Sequence, residues 1–143
     1  MAVGLQKLVR RALLTRLKAE PGVTTLVPAA RINPPGVPVW PFIVLRSPVT
    51  QKLRATGLRG GVVSWDIHAF AGPRLSAGAT VETAEDHTGS IGAAIEAALA
   101  DNRITLESGA VCHISLSDIR LLQDDEPDAY HWFAQISARV LAA

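Results

Sequence analysis

Cysteine is nearly absent from this chain: Cys112 is the one example in 143 residues. A single thiol excludes an internal disulfide and any cysteine-rich zinc site. Long apolar runs are missing as well. No stretch approaches the ~20 consecutive apolar residues needed to cross a bilayer. The opening MAVGLQKLVRRALLTRL alternates charge with hydrophobe and has no signal-peptide core. The chain is therefore expected to be soluble and intracellular where it is made. An Arg-rich amphipathic start also has the composition of a transit peptide, but apolar residues at positions 5, 8, 9, 12, 13 and 17 suit a core-packed helix equally well. Charge of one sign is lacking too. Fourteen Lys and Arg against 13 Asp and Glu leave a net charge of +1, which argues against a dedicated duplex-coating protein and leaves room for a local basic patch. Enzyme signatures are also wanting. There is no H-E-x-x-H and no phosphate-cradling glycine loop, and TGSIG neither matches G-x-S-x-G nor follows a strand.

What is present has the balance of a globular protein, with 48% hydrophobic and 19% charged residues, and the length suits one domain, 1–143. The spacing predicts a helix over about residues 3–19, with Lys7, Arg10, Arg11 and Lys18 away from its apolar stripe. Pro21 and Gly22 end it. NPPGVPVWP, with four prolines in nine residues, is an extended and stiff connector. FIVLRS follows as a short buried strand, apolar on both faces. VTQKLRATGLRGG is basic, glycine-rich and aperiodic, and is expected to be a long mobile loop or hairpin arm over about residues 49–61. In VVSWDIHAF the alternation puts Val63, Trp65, Ile67 and Ala69 on one face and Ser64, Asp66 and His68 on the other. AGPRLSAG breaks this strand.

An amphipathic helix is expected over about residues 82–100, weakened by Gly89 and Gly92, which also offer a smooth surface for close packing. RITLES is a short strand. AVCHISLSDIRLL places Cys112, Ile114 and Leu116 inward and then shifts phase to Ile119 and Leu121, so a bulge is expected near Ser117 and Asp118. After the acidic turn QDDEPD, YHWFAQISARVLA places Trp132, Ala134, Ile136, Ala138 and Val140 on one face. His131, Gln135, Ser137 and Arg139 lie on the other, and the two strands form an antiparallel hairpin. The sum is an α+β fold, a largely antiparallel sheet of four to five strands with both helices on one face.

The sheet's second face then carries Ser64, Asp66, His68, His113, Ser115, Gln135, Ser137 and Arg139, to be wetted or pressed against a partner. A metal site of two histidines and a carboxylate, from Asp66, His68 and His113, requires that their strands be neighbours. Cys112 points into the core, so the pleat separates it from His113. His87 is expected on the outer, solvated side of its helix.

The order of pieces carries a resemblance that covers nearly the whole chain. LQKLVRRALLTRLKAEPGVTTLV, RINP with PFIVLRS, VSWDIHAFAG, the helix IGAAIEAALADNRITLESG and the two final strands together resemble the tail-completion or tail-terminator proteins of long-tailed phages. In that family an opening amphipathic helix leads to R-I, a proline-rich connector and a P-[FY]-[IV] strand. A central strand with a Trp precedes a second helix ending in A-L. AEDHTGS and the RATGLRGG loop depart from the pattern, so loop contacts transfer least.

The resemblance implies a virion structural protein without enzymatic chemistry, cofactor or metal. It implies a hexameric ring that caps the tail tube and joins it to the head connector or stopper, with DNA passing through the lumen. Its place is then the head-tail junction of the virion, and the host cytoplasm during assembly, with no membrane partner. On this basis Lys52, Leu53, Arg54, Leu58 and Arg59 are expected to form a contact arm to the neighbouring subunit or the tube. An acidic protein patch suits that arm better than DNA, which a lumen must release quickly. Asp66, His68, His113, Gln135 and Arg139 are expected at an interface or the lumen. The alternatives are another connector component, a stopper or adaptor, and a small metal-dependent enzyme or ligand-binding domain.

Overall fold

The apolar stripe of the opening segment recurs at three- and four-residue steps, the spacing that one face of a helix buries. The computed structural model, which describes residues 4–52 and 59–142, forms it as helix α1 (Leu5–Ala19), with Leu8, Val9, Leu13 and Leu17 buried. Pro21 opens a single helical turn, α2 (Pro21–Thr24), where its missing N–H costs nothing. A 3-10 turn (Ala29–Arg31) leads into the proline-rich connector, which has no regular structure. The remaining elements are β1 (Phe42–Lys52), β2 (Arg59–Ala71), β3 (Arg74–Ser76), β4 (Ala79–Glu82), α3 (Ala84–Leu99), β5 (Arg103–Thr105), β6 (Val111–Gln123) and β7 (Tyr130–Ala142).

Five strands make one antiparallel sheet in the order β1-β2-β7-β6-β5, and β3 with β4 makes a separate small hairpin. The fold is the expected single-domain α+β arrangement with helices on one face. Strand β1 runs further than FIVLRS alone: a bulge between Arg46 and Val49, with Ser47 at φ 54°, lets it continue to Lys52 opposite Gly61. Of the two forms expected for residues 49–61, the described part is therefore a hairpin. Leu53, Arg54, Leu58 and the Arg59 side chain lie outside the described residues.

The helix-covered face follows the alternation. Val63, Trp65, Ile67 and Ala69 from β2, Trp132 through Val140 at alternate positions of β7, and Cys112 and Ile114 from β6 are all buried. Each large side chain taken out of water in this way stabilises the fold by ~1.5–3 kcal/mol. Burial pushes the Cys112 thiol up to about 11, so it stays a protonated, inert hydrophobe. Helix α3 is capped by Thr83, whose hydroxyl oxygen accepts from the Asp86 N–H at 3.2 Å, and Glu85 and Asp86 complement the positive end of its dipole. Its Gly92 lies against the Trp132 indole so closely that a Cβ would collide with the ring. Arg16 joins the two long helices, donating to the Ala98 carbonyl at 3.1 Å and to Asn102 Oδ1 at 3.3 Å.

Two expectations are corrected and a third is filled out. His87 is buried, not solvated: its Nδ1 lies 2.9 Å from the Gly72 carbonyl, so it donates there, while the Thr88 hydroxyl donates to the Ala71 carbonyl. These two contacts fasten the start of α3 to the end of β2. AGPRLSAG does break β2, but it then enters the β3–β4 hairpin, whose Arg74 and Glu82 pair at 3.0 Å. The bulge at Ser117 is present, with Asp118 at φ 52°, yet Ile119 and Leu121 beyond it remain exposed.

Candidate functional site

The open face of the sheet holds most of the residues that sequence singles out, and the strand register arranges them in rows. Strand β1 contributes Phe42, Val44, Arg46, Val49 and Gln51. Opposite them on β2 stand Phe70, His68, Asp66, Ser64 and Val62. Strand β7 continues the rows with His131, Phe133, Gln135, Ser137 and Arg139, and β6 with Leu122, Arg120, Ser117, Ser115 and His113. Arg103 of β5 extends the last row beyond His113.

The face changes character along the strands. At the end nearest the connector, Phe42 and Phe70 stack at 4.8 Å between ring centroids, Trp40 meets both edge-on at 5.4 and 5.7 Å, and Phe70 stacks on His131 at 4.2 Å. Phe42 packs within this ring cluster, and both it and Val44 beside it are buried on this face. That is why FIVL is apolar on both faces. At the other end Ser64, Ser115 and Ser137 form one row, and Arg103, His113 and Arg139 share the next with Val62. Their short side chains leave a groove of about 560 Å³.

The expected site residues are partly brought together. Asp66 lies opposite Arg46 on one side and Gln135 on the other, and Arg139 lies opposite His113. Asp66, His68 and His113 do not converge. Strand β7 stands between β2 and β6, so the three-ligand arrangement lacks the neighbouring strands it requires, and among the described residues no group of three possible metal ligands forms.

The close partner of His68 is His131, with Nδ1 and Nε2 at 2.6 Å. One ring must donate and the other accept, so the contact needs at least one neutral ring. Burial, then the charge of His131, hold His68 below its ordinary value, with Asp66 opposing and Arg46 assisting. Burial holds His131 down as well, against Asp124. Sequence places both histidines on the open face but does not pair them, and it misses Phe70 and Phe133 as its covering. Even positions of β2 continue to Phe70 and odd positions of β7 include Phe133, so the signal was present in the same alternation.

The surface can make polar and ionic contacts along one half and has its other half closed by rings.

Residues 11–141 match the family model described as Tail completion protein gp17. The chain belongs to that family. It is thereby a component of a phage-type tail, and the expected resemblance is borne out. A solved chain described as "Virion of native gene transfer agent (GTA) particle" has the same fold, with a TM-score of 0.75 at 15% identity, covering 99% of this chain and 100% of that one. No curated protein matches the chain.

Proposed function

We propose that this tail-completion protein forms a hexameric ring that caps the finished tail tube and joins it to the head connector, with DNA passing through the lumen. The family match over residues 11–141 carries this reading. A fold shared over nearly its full length with a chain of a gene transfer agent virion supports it, because that chain also works inside a multi-subunit particle. The role is structural, without catalysis, and places the protein at the head-tail junction of a virion or phage-like particle.

A sheet whose open half is polar and whose edge strand β1 is long offers the contacts a ring needs, since interfaces accept Ser, Gln, His and Arg at their rims. In dilute solution the subunit is a weakly associating monomer that becomes a ring at the tail end, where local concentration is high. Lys52, Arg54 and Arg59 then reach an acidic protein patch on the neighbour or the tube. Replacing all three by Ser is expected to leave the fold intact while tails grow to abnormal length or stay unattached to heads. Full complementation of a particle lacking the protein by that variant would remove the arm from the reading; full assembly with no copy of the protein at all would remove the reading itself.

A further inference from the structure

The open face has charge of opposite sign at its two extremes. At one, Arg103 and Arg139 are exposed and flank His113 over the serine row, forming the groove with Ser115 and Ser137 at its floor. At the other, the turn between β6 and β7 carries Asp124, Asp125, Glu126 and Asp128, with Asp125, Glu126 and Asp128 exposed. The turn is ordered by its own hydrogen bonds, Asp124 N–H to the Ala129 carbonyl at 2.9 Å and Glu126 N–H to Asp124 Oδ2 at 3.3 Å. Among the described residues, the ion pairs are Arg11–Glu107, Arg16–Glu20 and Arg74–Glu82, so neither the groove arginines nor the turn carboxylates take part in one.

One chain cannot bring the two together. The groove residue His113 and the turn are joined by an extended strand of eleven residues, His113 to Gln123. At ~3.3 Å per residue that holds them roughly 30 Å apart. A second copy has no such restriction.

We propose that the acidic β6–β7 turn of one copy seats in the Arg103–His113–Arg139 groove of the next, as a head-to-tail contact between copies of this chain. The contact is heterologous, so repeating it generates a ring where the rotation closes and a filament where it does not. Its closure into a ring rests on the function proposed above; the pairing itself does not. Nucleic acid suits the groove less well. Asp101 stands in the groove wall, and two arginines with one histidine make a short cationic site rather than a track along a polyanion. A compact turn of carboxylates fits that size and gains paired, charge-assisted hydrogen bonds to the guanidinium groups.

Two full-length variants with reversed charge test the contact: a groove variant, Arg103→Asp with Arg139→Asp, and a turn variant, Asp125→Lys with Glu126→Lys. Circular dichroism establishes that each folds, and sedimentation velocity over a concentration series at low salt reads association. Each variant alone is expected to associate about tenfold or more weakly than the parent, because like charges then face each other. An equimolar mixture is expected to recover association, since each variant's turn matches the other's groove. Unchanged association of either variant alone, or a mixture that stays as weak as its parts, overturns the contact. So does a groove variant that loses binding to a short DNA duplex while its self-association is unchanged. Recovery on mixing together with no parent rings on tail tubes would keep the contact and sink the ring.

Discussion

At one end of the open sheet face aromatic rings close over the strands, while at the other, on the same strands, serines lie between arginines and water. Phe42, Phe70, Trp40 and His131 form the closed end, and Ser64, Ser137, Ser115, Arg139 and Arg103 the open one. The difference teaches that a sheet face is divided by rows across strands, not only by alternation along them. The closed end acts as a second, small core and stabilises the fold. The open end, whose arginines are exposed, contributes less to folding.

The largest effect lies beneath both ends. Trp65 and Trp132 are 6% and 3% exposed, and replacing either by Ala should cost ~3–5 kcal/mol, enough to unfold a marginal domain of this size. Soluble, fully folded variants in urea titrations would show the faces to be reversed. Next comes the comparison itself. Phe70→Ala removes a ring that stacks on Phe42 and His131 and should cost about 2–3 kcal/mol, whereas Ser137→Ala at the open end should stay within about 0.5 kcal/mol. Equal losses by urea denaturation would erase the distinction between the ends.

Gly92→Ala sharpens the view of the shared floor. Helix propensity favours Ala by up to ~1 kcal/mol, but the collision with the buried Trp132 indole is overpacking, which costs ~1–3 kcal/mol, so a net loss in Tm is expected. A gain in Tm would mean that the indole has room to move.

The smallest effect is the pH dependence of the closed end. His68 and His131 are both held below the ordinary value of 6.5, so below that pH the unfolded chain binds more protons than the folded one. Their contribution to stability is complete above 6.5 and falls as pH drops through it toward their lower folded values. Thermal melts between pH 7 and 5 should decline less steeply for His131→Gln than for the parent. An identical slope would remove the histidine pair from the closed end.

Much of this division is legible in the sequence. Period-two alternation placed Trp65 and Trp132 inward and Asp66, Gln135 and Arg139 outward, because a pleated strand leaves no other choice. The bulge near Ser117 showed as a break in the same alternation. What alternation cannot state is which strands are neighbours. That β7 separates β2 from β6 follows from tertiary packing, and it undid the convergence of Asp66, His68 and His113. His87 escapes the pattern for a similar reason, since its acceptor, the Gly72 carbonyl, lies just past the end of β2, a contact that only tertiary packing creates. Ile119 and Leu121 looked buried because they are apolar and in phase, but that stretch of β6 stays open to solvent. The β3–β4 hairpin left no pattern to find, its residues being almost all exposed.

As proposed above, this tail-completion protein works as a ring at the end of a tail, using the open end of its sheet face. Electron microscopy of tail tubes assembled without the protein, before and after its addition, tests this most directly. A hexameric ring seated on one end of each tube is predicted, and the groove variant Arg103→Asp with Arg139→Asp should leave those ends bare. Tubes that stay bare with the parent protein, or that carry it as single copies or along their sides, would contradict the account.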